Sequence, residues 1–69
     1  MEQILYTVSE VSELLKINKN AVYELLKKRR LQGLKLGSMK VTRSELLRFL
    51  EENTGNDLSN LDDVKELTF

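Results

Sequence analysis

Thr7-Val8-Ser9-Glu10-Val11-Ser12-Glu13-Leu14-Leu15-Lys16-Ile17-Asn18-Lys19-Asn20-Ala21-Val22-Tyr23-Glu24-Leu25-Leu26-Lys27-Lys28 is the stretch that decides the fold. Its first four residues form a capping box. The Thr7 hydroxyl can accept from the Glu10 amide, and the Glu10 carboxylate can reach back to the Thr7 amide. Val8, Val11, Leu14 and Leu15 follow at helical spacing, which predicts a helix over 8–15. Lys16-Ile17-Asn18 breaks it, with Asn18 as the next N-cap and Ile17 as a hydrophobic staple. A second helix is predicted over 19–28. At about 100° per residue, Ala21, Val22, Leu25 and Leu26 share one side of it. Asn20, Tyr23, Glu24 and Lys27 share the other. Two short helices joined by about three residues have the spacing of a helix-turn-helix.

Outward from this pair, the pattern changes period. Ile4-Leu5-Tyr6 is a short apolar lead-in. Leu34-Lys35-Leu36 and Met39-Lys40-Val41 alternate around Gly37-Ser38, which predicts a two-residue hairpin of the type II′ kind. That register sets Leu36 against Met39 and Leu34 against Val41. It puts Lys35 and Lys40 side by side, where they either meet an anion or stand in water. Thr42-Arg43-Ser44-Glu45 is a second capping box, and Leu46, Leu47, Phe49 and Leu50 predict a third helix over 43–52. The leucines of all three helices are expected in the core. Asn53-Thr54-Gly55-Asn56 reads as a stop and linker. The acidic tail carries Leu58, Leu61, Val64 and Leu67 at every third position, enough for one short amphipathic helix of marginal stability alone. The expected fold is mainly α with a small β-hairpin, a winged helix-turn-helix. Residues 1–52 make the domain and residues 53–69 an appended tail.

Composition narrows the chemistry. The chain has 69 residues, and a domain of this size buries only about 60% of the surface its unfolded form exposes. Cysteine, histidine, proline and tryptophan are absent. Disulfides, Cys/His metal sites, thiol nucleophiles and imidazole acid–base chemistry are therefore excluded, and no metal or other cofactor is expected. No pairing of nucleophile with base suggests an enzyme. No apolar stretch reaches the length of about 18 residues that a membrane helix needs. Met1-Glu2-Gln3 is not a basic leader, so the expected compartment is the cytoplasm. The formal net charge is zero, from eleven cations and eleven anions, but the distribution is uneven. Residues 1–15 carry −3, residues 16–43 carry nine cations against Glu24 for +8, and residues 44–69 carry −5. A basic block inside a neutral chain makes a strong local field, or simply a solvated surface.

Several segments resemble one family. Tyr6-Thr7-Val8-Ser9-Glu10-Val11-Ser12-Glu13-Leu14-Leu15, then Ile17-Asn18 with Ala21-Val22-Tyr23-Glu24-Leu25-Leu26, then Leu36-Gly37 and Thr42-Arg43-Ser44-Glu45-Leu46 are similar to the excisionase-type helix-turn-helix domains, relatives of the MerR-type DNA-binding fold. The resemblance covers about residues 5–52. It implies a protein of a phage or conjugative transposon that binds and bends double-stranded DNA and helps a tyrosine recombinase excise the element. Others of the family are small transcriptional regulators. Three positions differ from its usual pattern. Arg29 stands where a helix-ending glycine is usual, Leu31-Gln32-Gly33 lacks a proline, and the wing tip Gly37-Ser38-Met39-Lys40-Val41 is one residue short and lacks an aromatic.

Within that plan the second helix would enter a major groove, N-terminal end first. Lys19, Asn20, Tyr23, Glu24 and Lys27 are its expected outward side chains. Asn20 could pair with adenine and Glu24 could accept from a cytosine amino group; Asn20 is equally an ordinary first-turn residue. Tyr23 is a backbone contact or a ring on the core edge. Lys28, Arg29 and Arg30 are phosphate ligands or a helix C-terminal charge. Lys35, Ser38 and Lys40 form the wing contact, and Arg43 reaches DNA backbone or solvent. Six phosphate contacts would give a log–log salt slope of about −5. Three roles stay open for the tail stripe: packing on the domain, self-association on DNA, or docking on a recombinase. Its acids could alternatively cover the basic face when DNA is absent. A protein-interaction module without DNA binding is the competing reading of the whole chain.

Overall fold

The computed structural model describes residues 3–68. Met1, Glu2 and Phe69 lie outside the described residues, and with them most of the start on which the leader expectation rests. In chain order the elements are β1 (Leu5–Thr7), α1 (Val8–Leu15), α2 (Lys19–Lys27), β2 (Leu34–Leu36), β3 (Ser38–Thr42), α3 (Arg43–Asn53), β4 (Asn56–Asp57) and β5 (Lys65–Glu66). The protein is mainly helical with small antiparallel sheets, an arrangement compatible with a winged helix-turn-helix.

The start of α1 follows from its capping box. Glu10 N donates to Thr7 Oγ1 at 3.2 Å, and Thr7 N donates to Glu10 Oε1 at 2.9 Å. The Thr7 contact, helped by Gln3, holds the Glu10 carboxyl below its usual value. Asn18 caps α2 by accepting from Ala21 N at 2.8 Å. Both helices stop on a left-handed residue. At the end of α1 Lys16 has φ 59°, and Ile17 N donates to Ser12 O at 3.0 Å. After α2 Arg29 has φ 59°, Arg29 N donates to Leu26 O and Arg30 N to Leu25 O. That is the paired pattern of a Schellman ending, built here on cationic side chains where glycine would cost less.

The core draws Val8 and Val11 from α1, Val22 and Leu25 from α2, Leu31 from the linker, Val41 from β3, and Leu46 and Phe49 from α3. Leu31 is fully buried although no period marks it in the sequence. Leu14, Leu47 and Leu50, expected in the core, are instead 43–54% exposed. They flank the inward stripe of their helices, and a chain this small has no second layer to cover a wide apolar face.

Two sheet features differ from the sequence reading. Leu5–Thr7 is a true strand, and it makes a three-stranded sheet in the order β1-β3-β2. The hairpin is also slipped by one residue. Leu34 pairs with Lys40, Lys35 with Met39 and Leu36 with Ser38. Gly37, at φ 74°, turns the chain alone instead of sharing the turn with Ser38. Core packing selects this register. Val41 is fully buried and Met39 half-buried, so β3 presents both inward and Lys40 to the other face. Lys35 and Lys40 therefore stand on opposite faces, and the paired-lysine site predicted from the two-residue turn does not form.

The second capping box is half made. Glu45 N donates to Thr42 Oγ1 at 3.2 Å. The Glu45 carboxylate goes elsewhere, accepting from Gln32 N at 2.8 Å and from the Arg48 guanidinium. The tail is a short two-stranded hairpin and not a helix. Asn56 pairs with Glu66 and Asp57 with Lys65, and Leu67 N donates to Gly55 O at 2.8 Å. Gly55 at φ 95° ends the helical direction. Asp57 Oδ1 accepts from Ser59 N, and Asn60 Oδ1 accepts from Asp62 N. Such local side-chain bonds give the backbone an alternative to helix. Leu58 and Leu61 pack against the core cluster, one of the roles left open for the stripe.

Candidate nucleic-acid interface

α2 is held by Val22 and Leu25 in the core, and this fixes what faces outward. Lys19, Asn20, Tyr23 and Lys27 lie together on the open side, all exposed. Two cations, an amide and a phenol thus line one face of a helix about 14 Å long, at about 1.5 Å per residue. Tyr23 is 52% exposed. Glu24 is exposed but turned to the flank, where it lines a groove with Ala21, Lys28 and the tail residues Leu58 to Asp62.

The cations after α2 divide. Lys28 Nζ is 3.0 Å and 3.1 Å from the two carboxylate oxygens of Asp62. Arg30 donates through Nε and Nη2 to the Leu61 carbonyl at 3.0 and 2.6 Å. Arg29 is exposed on its left-handed backbone. On the hairpin, Lys35 is exposed on the edge strand, while Lys40 Nζ donates to Ser38 Oγ and lies 3.4 Å from Leu36 O. Arg43 opens α3, half-buried, its amide donating to Ile4 O at 3.0 Å. The predicted residues therefore form an α2 face (Lys19, Asn20, Tyr23, Lys27), while on the hairpin Ser38 and Lys40 share one face and Lys35 stands on the other, and Lys28 and Arg30 are engaged by the tail.

Sequence reasoning missed a brace between the α2–β2 linker and α3. The Arg48 guanidinium takes both oxygens of Glu45 and also bonds Glu52. Glu45 holds Gln32 N, and Gln32 Nε2 donates to Arg29 O at 3.2 Å. This set ties the linker between α2 and β2 to α3. The Arg48 contact, opposed by burial and aided by Gln32 N, holds the Glu45 carboxyl below its usual value of 4.5. Glu45 in turn raises Arg48 further. The Glu45–Arg48 spacing of three residues was the available signal. Gly33 serves a close approach: a Cβ there would stand 2.6 Å from Met39 Sδ and 3.0 Å from Leu26 Cδ2.

Among the described residues no group of three or more metal-ligating side chains occurs, and no helix is long and apolar enough to cross a membrane. Comparison with curated proteins and with solved structures returned no match. The sequence profile of one family, the helix-turn-helix domain, matches residues 5–54, the span from β1 to the first residue past α3. With its two capped helices, three-residue turn and exposed α2 face, the chain belongs to the helix-turn-helix domain family, a DNA-binding plan.

Proposed function

We propose that this chain binds double-stranded DNA as a winged, MerR-like module, with α2 in the major groove and the β2–β3 hairpin as the wing on the adjoining backbone. The observation that carries this is the α2 face: Lys19, Asn20, Tyr23 and Lys27 exposed together on a helix whose opposite side is locked in the core. In this reading Asn20 reads a base edge, and adenine offers the matching donor and acceptor. Lys19, Lys27 and Arg29 neutralise phosphates, Tyr23 contacts backbone, and Lys35, Ser38, Lys40 and Arg43 fix the register. The brace through Glu45 and Arg48 holds the linker that follows α2 on α3. The biological setting is that of an excisionase-type accessory factor, which bends DNA for a tyrosine recombinase. Its support is the resemblance of residues 5–52 to the excisionase-type domains.

Replacing purines by 7-deazapurines removes the N7 acceptors of the major groove and leaves the phosphates in place. The proposal expects binding to such a duplex to weaken severalfold at fixed salt, and circularly permuted fragments to reveal a bend. Equal affinity for both duplexes would contradict major-groove entry. Binding without a bend would remove the accessory-factor role and leave a simple DNA-binding regulator.

A further inference from the structure

The tail hairpin lies along one flank of α2, and that placement bears on how DNA could approach. A helix with its side chains is about 10–12 Å across and a B-DNA major groove is about 12 Å wide. Phosphates therefore run along both flanks of any helix seated there. One flank of α2 is Ala21, Glu24 and Lys28. Tail residues Ser59, Asn60 and Asp62 stand beside it, across a groove of about 640 Å³. The Asp62 carboxylate sits on Lys28 as a phosphate would, and the Leu61 carbonyl accepts the Arg30 fork as a phosphate oxygen would. Leu58 and Leu61 anchor this segment on the core.

We infer that residues 56–66 are a built-in competitor of DNA: the tail occupies Lys28 and Arg30 in the free protein and must yield them when a duplex seats on α2. The inference rests on the DNA-binding reading above. The holding contacts suit a reversible strap. The Lys28–Asp62 pair is solvent-exposed, with side-chain exposures of 39% and 70%, so phosphate can displace it. The acids Asp57, Asp62, Asp63 and Glu66 then leave the DNA with the strap, as like charges demand.

The test uses the full chain with Asp62→Asn, Lys28→Ala and the double variant, measured by fluorescence anisotropy on one mixed-sequence duplex over a salt series. Asp62→Asn is a surface change and leaves the core intact. A competing strap predicts about three- to tenfold tighter binding for Asp62→Asn near 0.1 M salt, and a slope steeper by about one phosphate contact. It also predicts that Lys28→Ala costs more in the Asp62→Asn background than in the wild type. Wild-type binding that Asp62→Asn leaves unchanged in affinity and slope would overturn the strap and keep the DNA reading. Absence of binding by every folded variant would overturn both.

Discussion

Arg29 holds a left-handed backbone, φ 59°, one residue past the C-cap of α2. For a side chain with a Cβ this conformation costs about 1–2 kcal/mol, while a glycine gives back part of that gain as unfolded-state entropy. Arg29→Gly is therefore expected to raise stability by about 0.5–1 kcal/mol, read as a higher urea midpoint at unchanged slope. Because Arg29 is also a proposed phosphate ligand, the same variant should bind DNA less tightly. A glycine-like stop was legible in the sequence as a position, since Arg29 stands where the family usually ends its helix. That Arg29 itself takes the glycine conformation, and does not end the helix differently, is enforced by the paired bonds from Arg29 N and Arg30 N. Glu45 makes a second prediction. Its folded value lies below 4.5, so its contribution to stability is complete above that pH and is lost as pH falls through the folded value. Glu45→Gln should lower stability at neutral pH by about 1.5 kcal/mol, the scale of a charged hydrogen bond. It should also flatten the acid limb of the stability profile.

At the scale of elements, the Leu31 linker and the hairpin register matter most. Leu31 is fully buried between α2 and β2, so Leu31→Ala is expected to cost about 2–4 kcal/mol in a chemical denaturation. That is a large share of the roughly 5 kcal/mol that a domain this size holds. Tyr23→Ala, on the exposed face, should leave stability within about 0.5 kcal/mol and weaken only DNA binding. The three helices were legible because capping boxes, N-caps and apolar stripes act locally. Thr7, Asn18 and Thr42 each cap the helix that their sequence predicts. The hairpin slip was not, because its register is chosen by Met39 and Val41 packing on a core that forms from distant residues. The same holds for β1, which pairs with β3 from more than thirty positions away in sequence: Leu5 faces Thr42. The tail stripe misled for another reason. A period of three fits both a helix and a hairpin whose leucines face one core, and Gly55 with the Asp57 and Asn60 side-chain bonds decides for the hairpin.

In the whole molecule, zero net charge conceals a basic block between two acidic ones, and the fold brings the basic block into contact with the acidic tail. The tail covers Lys28 and Arg30 but leaves the Lys19, Asn20, Tyr23 and Lys27 face open. The exposure of Lys19, Asn20, Tyr23, Glu24 and Lys27 was legible from helical spacing alone; that Glu24 also lines a groove with the tail was not, because the tail comes from distant sequence. The most direct test of this account is the salt dependence of duplex binding for the wild type and for Lys19→Ala/Lys27→Ala, measured by anisotropy with folding checked by circular dichroism. With Lys28 and Arg30 held in part by the tail, the account predicts a wild-type slope of about −4 and a slope shallower by about two in the variant, with helix content unchanged. A folded variant that binds with the wild-type affinity and slope would contradict the assignment of α2 as the DNA-facing helix.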